Sequence, residues 1–309
     1  MTNQLPLISV VMATYNGERF LAEQIDSILR QTYPTIEIIA IDDGSTDGTL
    51  TMLQEYASRF PQLTVVRNER NLGYVRNFEK GMLLAHGDLI ALSDQDDIWL
   101  PEKLSTLYEH LGNHEIIYSN SELVDESGLS LHRKMSDIRN QISYDDCLMY
   151  TVGAWAPGHA MLFRSSLVQR CLPFPTIVTH DFWLGFVAAC KGAIKYLDIP
   201  LVKYRQHNAN AIGANTQAKR AGSTKTGKAE KQQILRQRMQ LLYEKCPAEN
   251  IQQKKVLHDL HLSYQDHSFK NNWSRMSIFL QYRKKMLAYK KKSDFMQVLF
   301  CLKTFFKIV

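Results

Sequence analysis

From Ile8 to Leu92, short β-branched apolar runs alternate with amphipathic stretches, and this alternation narrows the fold more than any other feature of the chain. Ile8–Ala13 reads as a strand, Phe20–Gln31 as a helix and Ile36–Ile41 as a second buried strand. Asp47 is placed to cap the next helix, which runs to about Ser58. Leu63–Arg67 is a third strand, Val75–His86 a helix and Leu89–Leu92 a fourth strand, and Pro101 then suits the first turn of another helix. Strands separated by helices of this length predict an α/β fold, a doubly wound and mostly parallel sheet with helices on both faces.

Such sheets bind ligands beyond the carboxyl ends of their strands. The polar clusters fall there: ATYNGE follows the first strand, DDGSTDGT the second, RNERNLGYVRN the third and SDQDD the fourth. Four loops of this character on one edge make a site. The second half is less regular. Gly158–Arg164 resembles a strand, Asp181–Lys191 a helix and Ile194–Leu197 a short strand, with YRQHNANAIGANTQ as a polar loop.

Length and composition suit a globular enzyme with a tail. The 309 residues, 45% hydrophobic and 22% charged, are enough for a full core and argue against global disorder. The formal charge of +6 is uneven, because Arg283, Lys284, Lys285, Lys290, Lys291 and Lys292 crowd one short region. Five cysteines, odd in number and without close ligand spacing, read as free thiols of a reducing compartment. The N-terminus has no basic segment ahead of its apolar run, unlike a signal peptide, and no run approaches the ~20 apolar residues of a membrane span. A cytoplasmic protein is the expectation.

The chemistry concentrates in LSDQDDIW, Leu92–Trp99, where three carboxylates lie within four residues. Asp94, Asp96 and Asp97 behind a strand can cradle a hard divalent cation, or form a solvated turn. In IDDGSTDGT the glycines and Asp47 have structural uses, whereas Asp42 and Asp43 are left to accept a hydrogen bond from a pyrimidine imide. Arg76 opens a helix whose free amides also favour anions, although a surface arginine would read the same way. A glycine-rich dinucleotide fingerprint and a Walker loop are both missing from the chain, so dehydrogenase and P-loop readings fall away.

Together VVMATYNGERFLAEQIDSILRQTY, IIAIDDGSTDGT, RNLGYVRNFEKG and LIALSDQDDIWLPEKL resemble the family-two glycosyltransferases, inverting enzymes of the GT-A fold. SDQDDIW, TVGAWAPGHAMLFR, THDFWLGFVAA and YRQHNANAIGA extend the likeness to bacterial rhamnosyltransferases of cell-wall and O-antigen assembly. The resemblance implies a GT-A catalytic region over residues 1–213, with nucleotide-sugar binding in 1–112 and the acceptor part in 113–213. A linker at 214–229 and a basic helical region at 230–309 would follow.

It also implies roles. Thr14, Tyr15, Asn16 and Asp43 would hold the base, with Asp42 beside it. Asn71, Gly73 and Asp94 would also bind the nucleotide-sugar, and Arg76 and Asn77 would lie near the diphosphate. Asp94 and Asp96 form the Asp-x-Asp pair, with Asp96 as direct metal ligand, Asp97 in support and His207 closing the shell around Mg²⁺ or Mn²⁺. Asp181 would be the general base, with a helix cap as its other reading, and His180 could orient it. Gly158, His159, Trp155 and Trp183 would face the acceptor, although buried aromatic residues are more often core.

The donor implied is a nucleotide-diphosphate sugar, dTDP-L-rhamnose first and UDP-hexoses next, and the acceptor a polyprenyl-linked glycan. The basic tail at Met276–Val309 would lie on an anionic membrane at the inner face of the plasma membrane, or pack on the catalytic domain as a solvated helix. No nucleic acid is expected. A catalytically inactive nucleotide-sugar binder and a scaffold of a glycan-assembly complex are the competing readings.

Overall fold

The computed structural model describes residues 5–154, 156–207 and 227–306. Its first half alternates as the sequence predicts: β1 (Ile8–Thr14), α1 (Glu18–Leu29), β2 (Ile36–Asp42), α2 (Thr49–Arg59), β3 (Leu63–Arg67), α3 (Tyr74–Leu83) and β4 (Leu89–Ser93). β1 runs parallel to β2 and β4, and β2 parallel to β3, with Thr14 opposite Asp42 and Asp42 opposite Arg67. That register brings the four polar loops to one edge.

Next come β5 (Ile98–Trp99), α4 (Lys103–Leu111), β6 (Ile116–Val124), β7 (Ser130–Lys134), α5 (Met135–Ile138), β8 (Met161–Arg164), α6 (Ser166–Cys171), α7 (His180–Ala189) and β9 (Ile194–Arg205). The sheet order is β3-β2-β1-β4-β8-β6-β9-β5, with β7 paired to β6. β8 is antiparallel to both neighbours, so the sheet is mixed where a mostly parallel one was expected. Two further departures have local causes. β9 is twelve residues long where a short strand ending at Leu197 was expected, because Pro200 sits at a register shift opposite Asn120 and breaks the visible period. Gly158–Ala160 is a 3-10 turn, and the strand begins only at Met161.

Four helices, α8 (Lys228–Lys245), α9 (Ile251–Ser263), α10 (Phe269–Met286) and α11 (Asp294–Phe306), follow the undescribed residues 208–226, which hold most of the expected linker. These helices pack on the catalytic sheet. Met239, Leu242, Leu257, Leu260, Phe279, Met286 and Cys301 join one core cluster with Val11, Ile90, Leu92, Phe163 and Phe186. The opposite face of the sheet is covered by Leu21 and Ile25 of α1 and Leu104 and Leu107 of α4.

Several tail lysines are committed to the protein itself. Lys285 pairs with the buried Asp146, Lys291 donates to the Ser136 carbonyl, and Lys290 lies over the rings of Tyr289 and Phe300. Among the described residues no helix is long and apolar enough to cross a membrane.

Because Phe279 is buried in the shared core, Phe279→Ala should cost about 3–5 kcal/mol of stability, read as a shifted denaturant midpoint. Truncation ahead of Met276 should give aggregated material, since it strips Phe279, Met286, Leu287 and Cys301 from that core. A soluble, active truncated chain would show instead that the catalytic sheet folds without this part of the tail.

Candidate active site

The loops beyond β1, β2 and β4 enclose, together with the start of α7 and the end of β9, a cavity of about 1110 Å³. On the side of the first two loops it is lined by Thr14, Tyr15, Asn16, Asp43, Asn71, Gly73 and Asn77. These loops are laced to each other. Asn16 adopts a positive φ of 49°, a region asparagine tolerates, and its Oδ1 accepts from the Thr46 amide at 2.8 Å. The Gly17 amide donates to Thr49 Oγ1 at 2.8 Å, and the Glu18 amide to Asp47 at 3.2 Å.

Asp42 and Asp43 divide their work. Asp42 is fully buried and does not line the cavity; its carboxylate accepts from the Ser45 amide at 3.1 Å and from the Ser45 hydroxyl. It shapes the turn instead of standing beside a base. Asp43 lines the cavity and accepts from Asn68 Nδ2 and the Leu72 amide, both at 2.8 Å, and from the Gly73 amide at 2.9 Å. It therefore anchors the third loop, where Gly73 takes a φ of 80°. Arg76 is placed elsewhere. Its guanidinium pairs with Glu79, and it lines a separate groove with Leu172, Phe174 and Trp183. The diphosphate role implied for it has no support in this geometry.

On the opposite wall Asp94 and Asp96 reach the cavity, and Asp97 is wholly buried behind them. Gln95, between them, clamps the first loop: its Oε1 accepts from the Tyr15 amide at 2.8 Å and its Nε2 donates to the Tyr15 carbonyl at 3.1 Å. A Cβ on Gly17 would stand 2.2 Å from that Oε1, so the clamp requires glycine. Asp96 Oδ2 lies 2.8 Å from His207 Nε2, with the imidazole tilted on Phe20 at 4.8 Å.

Two cations missed in the sequence hold this acidic loop. Arg205, almost fully buried at the end of β9, donates its amide to Asp97 Oδ1 at 3.1 Å and its Nε to the Asp96 carbonyl at 2.8 Å. Its guanidinium also pairs with Glu23 and lies 4.7 Å over Phe20. Lys103, fully buried at the first turn of α4, donates to the His159 carbonyl at 2.6 Å and lies over Trp99.

Burial pushes Asp97 well above the usual carboxylate range, with Asp96 and Asp94 adding to it, and burial also holds Lys103 well below its ordinary value. Burial, then the fields of Asp96 and Asp181, push Asp94 up to about 7. Only the composition of SDQDD, and not its buried counter-charges, was legible beforehand, because lysine and arginine are ordinarily surface residues.

Asp94 and Asp97 also gather with His159, their ligand atoms within 4.8 Å of one another. Burial, then Lys103, holds His159 down to about 3, so its imidazole is neutral; its Nε2 lies 3.0 Å from Ser121 Oγ. The donors that come together are thus the carboxylates of Asp94 and Asp97 and the imidazole of His159, a set that suits a divalent cation, with Asp97 Oδ2 without a partner among the described residues; Asp96 and His207 pair beside that group without joining it.

Asp181 lines the same cavity. The capping oxygen of its helix belongs to Thr179, which accepts from the Phe182 amide at 3.4 Å. Asp181 Oδ1 accepts from the Phe182 amide at 2.7 Å and from the Thr179 hydroxyl, and among the described residues Oδ2 accepts from the Gly158 amide alone, at 3.4 Å. His180 stacks on Phe78 at 4.1 Å, and a Cβ on Gly158 would meet its Nε2 at 2.9 Å. Gly158, His159 and His180 thus reach the cavity as expected. Trp183 does not: it is core, its Nε1 donating to the Cys171 carbonyl at 2.7 Å, and Phe182 lines the wall in its place. Trp155 lies outside the described residues. The C-terminal helices touch this wall, for Arg238 donates to the Tyr150 and Thr151 carbonyls and lies 4.5 Å over Phe182.

The carboxylate crowding sets a pH-dependent cost. Between 3.8 and about 7 Asp94 is charged in the unfolded chain but protonated in the fold, so metal-free stability falls as pH rises through that window. Asp94→Asn removes the loss. In chelator at about pH 8 the variant should melt higher, by roughly 2–4 °C per kcal/mol relieved, while near pH 4 the two proteins should melt together. Equal melting in both conditions would show that the loop carries no repulsion.

Residues 9–171 match the family model "Glycosyl transferase family 2". TuaG of Bacillus subtilis, provisionally named a teichuronic acid biosynthesis glycosyltransferase, is 33% identical over 221 residues, covering 70% of this chain and 84% of that one. The dTDP-rhamnosyl transferase RfbG of Shigella flexneri is 30% identical over 223 residues, 66% of this chain and 74% of that one. Two further curated relatives, both uncharacterized glycosyltransferases, are spanned over 66% of their length. Among solved structures, the mannosyltransferase PcManGT from Pyrobaculum calidifontis, in complex with GDP-Man and Mn²⁺, superposes with a TM-score of 0.53 at 19% identity, over 98% of this chain and 86% of that one. With its sheet order and its acidic loop at the carboxyl edge, the chain belongs to glycosyl transferase family 2.

Proposed function

We propose that the protein is an inverting glycosyltransferase that moves a sugar from a nucleotide-diphosphate donor to a hydroxyl of a surface glycan. One observation carries this reading: Asp94, Asp96, His207 and Asp181 line one and the same cavity. The donor lies with its nucleotide along the Thr14–Asn16 and Asn71–Gly73 loops and its diphosphate toward the acidic loop. Asp94, Asp96 and His207 would hold Mg²⁺ or Mn²⁺, which would offset the charge that develops on the leaving diphosphate.

The chain's own groups do the rest. Asp181 Oδ2, the less engaged oxygen, takes the proton from the acceptor hydroxyl as its oxygen attacks the anomeric carbon from the face opposite the diphosphate. The bond to the diphosphate oxygen breaks and that oxygen keeps the electron pair, so the configuration inverts. L-rhamnose from a dTDP donor is the sugar favoured, supported by the likeness to RfbG. A glycan carried on a polyprenyl diphosphate is the acceptor favoured, by the family resemblance.

Attachment to a membrane fits such an acceptor. Phe269, Trp273, Phe295 and Phe306 are each more than half exposed on α10 and α11, near the exposed Lys270 and Lys303. Aromatic side chains beside basic ones suit an anionic interface. Phe269→Ser with Trp273→Ser should reduce co-sedimentation with anionic vesicles while leaving transfer to a soluble acceptor intact. Undiminished co-sedimentation would remove this face from the reading.

Asp181→Asn tests the reaction. Thr179 is the cap, so the variant should fold and bind donor normally while kcat drops by ~10²–10⁴-fold. Near-normal turnover would move the base elsewhere. Release of nucleoside diphosphate from a dTDP- and UDP-sugar panel, absent in Asp96→Ala, separates an enzyme from an inactive binder or scaffold; no release by the parent chain from any donor would favour the latter.

A further inference from the structure

The cysteines, which looked like unrelated free thiols, are not scattered in space. Cys147, Cys190 and Cys246 come from three distant segments, yet their Sγ atoms all lie within 4.8 Å of one another, and all three residues are buried. Cys147 begins the 3-10 turn Cys147–Tyr150, Cys190 caps the carboxyl end of α7, and Cys246 caps the carboxyl end of α8. The cluster therefore sits at the seam between the catalytic sheet and the C-terminal helices, away from the cavity. We infer that these three thiols form a structural zinc site that fastens the C-terminal helices to the catalytic domain.

Geometry supports the assignment. Zinc–thiolate bonds of about 2.3 Å in a tetrahedron place sulfur atoms ~3.8 Å apart, within the spacing found here. The donor set is soft, and thiolates favour zinc over the hard cations that suit the acidic loop. Each thiol is also positioned by its backbone: the Cys190 carbonyl accepts from Asn250 Nδ2 at 2.6 Å, and the Cys246 carbonyl from Lys254 Nζ at 2.6 Å. Asp146, the buried neighbour of Cys147, stands outside the trio and is held by its own bonds. Its Oδ1 accepts from the Leu148 amide at 2.9 Å, and its Oδ2 faces Lys285 and Gln253.

Charge is provided for as well. Three thiolates and a divalent ion leave one negative charge, and Lys254 and Lys285 flank it, each close enough for its field to be felt at the cluster. On binding, the thiol protons leave to water, so metal uptake releases acid.

The test uses the full chain, purified reduced from zinc-supplemented medium and without chelator. About one zinc per chain is expected by elemental analysis, falling sharply in Cys246→Ser and in Cys190→Ser. Replacement by Co²⁺ should produce a thiolate-to-cobalt charge-transfer absorption, and Asp96→Ala should leave it unchanged, because the acidic loop contains no sulfur. If the cysteine variants fail to fold, the cobalt titration of the parent chain decides alone. Absence of zinc together with no such absorption on titrating the reduced protein, or a disulfide within the trio in the protein as purified, would overturn the site.

Discussion

The active edge depends on Arg205. Three carboxylates within four residues would drive a loop apart, and the buried guanidinium at the end of β9 is what ties it: one bond to the Asp96 carbonyl, an amide to Asp97 and an ion pair to Glu23. A buried arginine is tolerable only when such partners are present. Lys103, buried nearby, opposes with its field the burial that pushes Asp97 and Asp94 up. Asp94 and Asp96 face the cavity, Asp96 against His207.

The same economy runs through the neighbouring loops. Polar residues that look alike in sequence divide into those that shape the backbone and those that face the cavity. Asp42 serves the turn while Asp43 pins the third loop; Thr179 caps α7 while Asp181 beside it keeps one oxygen nearly free. Gln95 locks the first loop to the fourth, so that the first loop and the acidic loop of the cavity are tied into one frame.

Much of this was legible in the residues. β1 to β4 follow from the alternation of apolar runs, and Leu63–Arg67 matches the strand residue for residue. The loops that line the cavity were legible because strand ends, by topology, share an edge. What stayed hidden were features that only burial creates. Arg76 and Trp183 belong to residue types that suit a sugar-phosphate site, but tertiary packing turned one to a side groove and the other into the core. Tyr118, Ser119, Asn120 and Ser121 in β6 hide a buried strand behind polar letters. There Asn120 Nδ2 donates to Ser136 Oγ and Asp198, and Ser121 Oγ meets His159. The basic tail looked like an appendage because its apolar partners lie far back in the chain.

Arg238 gives that packing a further meaning. It holds the carbonyls of Tyr150 and Thr151 and covers the ring of Phe182, and Tyr150 and Phe182 form the wall on which an acceptor would rest. The wall is therefore a composite, its inner surface from one part of the chain and its backing from another. A change of residue in α8, without touching a sugar, would tilt that surface. Such a protein can acquire a new acceptor by remodelling its buttress while the machinery for the donor stays as it is.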